Sequence, residues 1–243
     1  MNETKKHTLG PISGAIGSCY LLVLWLILVC LDVAYRYLYW TNGMPPWNSR
    51  TPLFFTMLWA LLICGVVFLL PGVLRRIAMI VIPVTAGLML LVHSSMYKIF
   101  GTVFSFADLA YAEDGAKFFS MAYISFRKGL LICVAAAVIG AIVFAVLMPK
   151  RKYRWIRIPV SVIMIAAAAA GIWLLDGTMR ESDNETFTWD ASVSQDNDKA
   201  IYSGFSNVNR CFHLAGSYQY LFRSFTVTYG LEDAMRNGET YKK

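Results

Sequence analysis

The chain has 243 residues, 57% of them apolar and 15% charged, with a formal net charge of +7. A soluble domain carries about 25% charged residues. Here the charges sit in short clusters between long apolar runs, which excludes an ordinary globular fold for the first 175 residues. A basic nucleic-acid module needs its cations on one soluble face, so the excess charge is a topology signal and no nucleic-acid partner is expected.

Five runs are apolar for long enough to cross a bilayer, which takes about 20 helical residues. The first, about 12–34, is centred on CYLLVLWLILVCL. Its apolar core is too long for a cleaved signal peptide, and four more runs follow. Near its end Asp32 and Arg36 stand one turn apart. That spacing predicts a local ion pair or, because a carboxylate at membrane depth rarely faces lipid, the lining of a polar cavity. The loop 36–52 and its approach hold Tyr35, Tyr37, Tyr39, Trp40 and Trp47, the composition of an interfacial aromatic belt.

The second span, 53–70, is closed by Pro71-Gly72. The third, about 77–96, contains Pro83, which neighbouring helices make tolerable in a membrane. His93 lies near its end with no His or Cys within four residues, so it reads as a core or interface histidine. The segment 101–119, GTVFSFADLAYAEDGAKFF, reads as an amphipathic helical element at the outer interface. Ser105 is placed to cap the amide of Asp108, whose charge favours the first turn. Glu113 and Asp114 are adjacent and would point about 100° apart on a helix, which suits a solvated face better than a paired-carboxylate site. The fourth and fifth spans are 129–148 and 158–175. Cys19, Cys30, Cys64 and Cys133 fall inside apolar runs and Cys211 is alone in the tail. No disulfide or metal spacing results, and the cysteines read as small hydrophobes.

Lysine and arginine counts set the orientation. With the N-terminus in the cytoplasm, residues 1–11, 71–76 and 150–157 are internal and hold nine basic residues. The external loops 36–52 and 97–128 hold six in nearly twice the length. The tail is therefore expected outside, and residues 176–243 fit with ten acids and seven bases.

Residues 176–207 are polar and predict an extracytoplasmic linker or irregular cap, with an Asn184-x-Thr186 glycosylation pattern of little weight. Residues 208–243 predict an amphipathic connector helix and tail. Val208, Cys211, Ala215, Tyr218, Phe222, Phe225 and Tyr229 recur at helical steps and are expected to face a greasy surface or fold back on 101–119. Arg210, His213 and Arg223 fall mainly on other faces. Gly216 is expected to weaken this helix without ending it. The architecture so read is an all-α polytopic membrane protein. It has a five-helix domain over 1–175, an external amphipathic segment between spans three and four, a linker, and an interfacial connector.

Five N-in spans, FSFADLAYAEDGAKFF before the fourth, and NRCFHLAGSYQYLFRSF after the fifth resemble the N-terminal membrane region of lipoteichoic acid synthase-like proteins. These belong to the alkaline phosphatase and sulfatase superfamily. The most specific stretches are residues 106–110 and 214–225, the latter corresponding to the family's connector between the last span and the external enzyme. The resemblance implies a multi-pass protein of the bacterial cell membrane, working in envelope biogenesis. Its external sulfatase-fold domain, C-terminal to the connector, would transfer glycerol phosphate from phosphatidylglycerol to a glycolipid anchor. A threonine nucleophile and a divalent metal such as Mn would belong to that domain.

No nucleophile, cofactor contact or metal ligand is assigned within these 243 residues. The expected role is an anchor without catalysis of its own, holding such a domain, in the same or a separate polypeptide, near its lipid. The candidates for lipid-headgroup or polar-cavity contacts are Asp32, Arg36, His93, Asp108 and Asp176. Tyr218, Phe222, Arg223 and Phe225 are the connector residues of interest. The alternatives are a small transporter or flippase subunit, or an integral membrane enzyme with its site at the outer boundary.

Overall fold

The computed structural model describes residues 19–40, 50–111, 127–148, 157–180 and 194–230. Among them there are helices and no strands. Five helices are long and apolar enough to cross a membrane: α1 (Tyr20–Trp40), α2 (Thr51–Leu69), α3 (Gly72–Phe100), α4 (Lys128–Leu147) and α5 (Arg157–Arg180). Two more follow, α6 (Ser194–Gly204) and α7 (Val208–Thr228). A short 3-10 turn, Phe106–Tyr111, lies between α3 and α4. The chain is an all-α, multi-pass membrane protein. The solvated face expected for Glu113 and Asp114, the glycosylation pattern at Asn184, the basic run 150–156 and the tail beyond 230 lie outside the described residues.

The spans form because their residues leave the backbone no better option. In a bilayer, N–H and C=O groups must be paired within the segment, and a helix does this for any apolar sequence of sufficient length. Pro52 sits in the first turn of α2, where its missing N–H costs nothing. Pro83 is absorbed inside α3, which runs unbroken for 29 residues, about 43 Å at 1.5 Å per residue. It therefore outruns a hydrocarbon core of about 30 Å, and His93 stands near one boundary.

The central helix is α1, which packs against α2, α3 and α4, while α5 packs mainly on α2. Its buried side, Leu24, Leu28, Leu31 and Tyr35, follows helical spacing. The α2–α5 contact is close because small residues line it. A Cβ on Gly65 would come within 2.8 Å of Ile165 Cγ1, and one on Gly171 within 2.9 Å of Leu58 Cδ2. Ser161 Oγ donates to the Gly65 carbonyl across the same seam. Lipid gives two apolar helices no hydrophobic reason to associate, so close van der Waals packing and a hydrogen bond must serve.

One end of this bundle, where α1 finishes and α2 begins, is capped by α7. The stretch 176–207 is not irregular throughout: α5 continues to Arg180, and α6 occupies Ser194–Gly204. The reading of α7 as one weakened helix is corrected too. Gly216 has φ 75° and ψ 169°, and the helix breaks there into two halves. Asn207 caps the first half by accepting from the Arg210 amide at 3.0 Å.

The break shifts the phase of the second half, so the predicted stripe is buried at Cys211 and Ala215 but no longer marks the buried face beyond Gly216. Arg223 is 1% exposed, whereas Phe222 is 46% and Phe225 41% exposed. The buried set is Cys211, Phe212, Leu214, Ala215, Ser217, Gln219, Tyr220, Arg223, Ser224 and Thr226. The second half thus turns polar groups inward and its aromatic edge outward.

Gly216 is the residue on which this geometry turns. A Cβ there would lie 3.0 Å from both the Pro52 carbonyl oxygen and Thr56 Oγ1, in a backbone conformation L residues rarely adopt. Gly216→Ala is expected to cost about 1–3 kcal/mol and to lift α7 while the five spans stay inserted. Alkylation of Cys211, now 1% exposed, is the readout. Labelling that remains as slow as in the parent chain would show that the break is not required.

Candidate functional site at the capped end

The site is built around Asp32 on α1, which is fully buried. A buried carboxylate needs donors or it will neutralise, and this one has four. Arg36 Nη2 lies 2.8 Å from Oδ2, one turn along the same helix. Thr56 Oγ1 on α2 donates to Oδ2 at 2.7 Å. From α7, the Ser217 amide donates to Oδ1 at 2.9 Å, and the Ser217 hydroxyl donates to the same oxygen.

Ser217 opens the second half of α7, so its amide belongs to a helix N-terminus whose partial positive charge favours an anion. Asp32 supplies that anion from within the protein. Three helices are tied to one side chain.

A second group lies a turn further along α7. Gln219 Nε2 donates to Asp176 Oδ1 at 2.9 Å, and Trp59 Nε1 donates to Gln219 Oε1 at 2.8 Å. The Tyr202 hydroxyl also reaches Asp176 Oδ1, at 2.5 Å, and Arg180 pairs with Oδ2 at 2.6 Å. Arg223 places its guanidinium carbon 4.1 Å from the centroid of the Tyr202 ring and donates to the Ser203 carbonyl at 3.0 Å. Burial, then the Asp176 charge, hold the Tyr202 phenol well above its ordinary range. Burial likewise pushes the Cys211 thiol up to about 11.

The third group joins α7 to the 3-10 turn. Asp108 Oδ2 accepts from the Ser105 amide at 2.7 Å, while Ser105 Oγ accepts from the Ala107 amide at 3.3 Å. This is a reciprocal cap of the expected kind, with Ala107 in place of Asp108 as the receiving amide. Ser224 Oγ bridges to it, accepting from the Phe106 amide at 2.8 Å and sharing a hydrogen bond with Ser105 Oγ at 3.0 Å. Phe225 packs edge-on to Phe106 with centroids 5.4 Å apart. Tyr220 donates to the Phe104 carbonyl at 2.9 Å, and burial followed by the Asp108 charge raises its phenol well above the usual range.

His93 sits apart from all three polar groups. It is fully buried, and neither ring nitrogen has a hydrogen-bond partner. Rings of Phe212, Tyr220, Phe104 and Tyr35 surround it at centroid distances of 5.1, 5.8, 6.2 and 6.3 Å. It packs as an aromatic among aromatics.

The five sequence candidates therefore do not meet at one point. Asp32 and Arg36 form one node, Asp176 a second and Asp108 a third, while His93 fills the apolar space among them. What they share is α7. Of the connector residues, Arg223 faces inward, Tyr218 donates to the Leu28 carbonyl of α1 at 3.0 Å, and Phe222 leans on Trp59 with ring centroids 5.3 Å apart.

Thr56, Ser217, Gln219 and Trp59 were not legible as site residues. The one available signal was Gly216 directly before Ser217, which is where a half-helix can begin. Among the described residues no three His, Cys, Asp or Glu side chains gather as a metal set. No family model, curated protein or solved structure matches this chain.

Two substitutions separate the roles. Asp32→Ala leaves the buried Arg36 guanidinium without a counter-charge and strips the donors of Thr56 and Ser217. It is expected to cost about 3–5 kcal/mol, read as a fall in Tm of the purified protein. His93→Phe keeps the ring packing and removes two unsatisfied nitrogens, so it is expected to stabilise by about 1 kcal/mol. A clear loss of stability on His93→Phe would mean that the imidazole has a polar partner in the membrane.

Proposed function

We propose that this chain is the membrane module of a lipoteichoic acid synthase-like protein. It would seat an external phosphoglycerol-transferase-type domain beside its lipid substrate, phosphatidylglycerol or a glycolipid. The observation that carries this reading is the pinning of α7 at its midpoint to α1 and α2 through Asp32. A helix held in this way gives whatever is attached to it a fixed height and direction above the bilayer. Confinement to the layer of lipid headgroups raises the effective substrate concentration without adding a chemical group.

The two stretches that carry the family resemblance also pack on each other, through Ser105 and Phe106 against Ser224 and Phe225. In this reading the N-terminus is cytoplasmic, the capped end is external, and the metal and nucleophile belong to the attached domain.

The broken α7 favours a second reading, a small transporter or flippase subunit, because discontinuous helices mark transporter binding sites. Here the half-helix N-terminus is occupied by the protein's own Asp32, which weakens that reading.

Tagged protein drawn from its native membrane is expected to carry phosphoglycerol-transferase activity towards phosphatidylglycerol in the presence of Mn²⁺. Gly216→Ala should uncouple that activity while the chain stays inserted. Turnover by the homogeneous 243-residue chain, lost on Asp32→Ala, would replace the anchor with an integral membrane enzyme. Scrambling of labelled phosphatidylglycerol in vesicles holding only this chain would favour the transporter.

A further inference from the structure

At the end of the bundle opposite α7, α3 begins in an electrostatically unusual way. Pro71 is its N-cap residue and offers no side-chain hydrogen bond, and the first turn contains no acid. Gly72, Val73 and Leu74 are therefore left with N–H groups that the helix itself cannot pair. The positive pole of a 29-residue helix is concentrated there. Two arginines follow at once, Arg75 and Arg76. Charge of this sign at an N-terminus is the arrangement that the helix dipole disfavours.

Arg76 escapes by donating to the Met148 carbonyl just past the end of α4, a helix C-terminus where a cation belongs. Arg75 does not escape. It is 2% exposed and held in place by Tyr20, to whose hydroxyl Nη1 donates at 3.0 Å and over whose ring the guanidinium carbon lies 5.3 Å from the centroid. Among the described residues no carboxylate pairs with it, and its Nε is buried without a hydrogen-bond partner. Its Nη2 lies 4.0 Å from where a Gly72 Cβ would be, so the charge is fixed beside the open amides. A buried, immobilised guanidinium with no counter-ion is costly, and an anion at Gly72 would satisfy both it and the helix terminus.

The surroundings indicate what else the ligand carries. Val73, Leu74 and Ile77 are 74%, 51% and 51% exposed around this terminus, forming an apolar skirt at the end of a membrane span. We infer that the Pro71-Gly72 terminus of α3, with Arg75, binds the phosphodiester of an anionic phospholipid whose acyl chains lie along that skirt. This site is independent of the proposed role of α7 and lies at the other membrane face.

The test uses the whole chain in detergent, with phosphatidylglycerol, phosphatidylcholine or inorganic phosphate added and Tm followed. Phosphatidylglycerol is expected to raise Tm by several degrees through mass action, and the other two are not. Arg75→Gln should weaken the apparent phosphatidylglycerol affinity roughly tenfold or more, the loss of a charge-assisted contact.

Gly72→Asp guards against a variant that fails to fold. The nearest atom to the new Cβ is Arg75 Nη2 itself, so the carboxylate supplies the missing anion from within. This variant is expected to melt higher than the parent without lipid and to lose the response to phosphatidylglycerol. Equal stabilisation by phosphatidylcholine, an equal response to inorganic phosphate, or an undiminished phosphatidylglycerol shift in Gly72→Asp would each overturn the assignment.

Discussion

The carboxylate of Asp32 accepts from an arginine one turn away, a threonine on the next helix, and both the amide and hydroxyl of a serine far along the chain. A charge in an apolar interior is tolerated only with such company. The dependence also runs outward. Without Asp32 the two halves of α7 would have no common anchor, because the second half begins at Ser217 with its amide aimed at this oxygen. The polar groups along that half, Gln219, Arg223 and Ser224, find their partners only when the first turn is placed correctly. The capped end is an ordered polar network resting on one side chain, set on a bundle held by apolar contact.

The five spans were legible in the sequence because their cause is local. Apolar length decides them; α1 and α5 run further toward the capped end than expected, to Trp40 and Arg180, and α3 extends past its expected bounds at both ends. The Asp32–Arg36 pair was legible for the same reason, being one helical turn apart. The inner face of α7 was not. A single helical wheel assumes one phase, and Gly216 resets it. Apolar periodicity also fails to say which face is inward for a helix lying where water, lipid and protein meet. Phe225 does fold back on the 101–119 segment, against Phe106, as expected, but Phe222 and Phe225 lie at the outer edge of the cap while Arg223 is enclosed. The partners of Asp32 come from 24 and 185 residues away, and no short-range pattern contains that information.

The two ends of the bundle treat charge differently. At the capped end, Asp32, Asp176 and Asp198 each sit beside an arginine, Arg36, Arg180 and Arg210 respectively. At the other end, Arg75 is held by an aromatic ring and a phenol, and Arg157 packs over Phe68. Among the described residues, then, carboxylates stand beside arginines at the capped end, and aromatic rings stand beside Arg75 and Arg157 at the other.

The distance in sequence between Asp32 and Ser217 has a consequence for assembly. Those 185 residues take on the order of ten to forty seconds to synthesise at about 5–20 residues per second. Throughout that interval α1 has already been made, and its carboxylate has no access to the serine that will complete its shell. Arg36, present from the start on the same helix, can escort it as a nearly neutral pair; Thr56 arrives within a few seconds. Each half of α7 is too short to hold helical form alone, so the cap is the last element to order and can do so only on a finished α1–α2 pair.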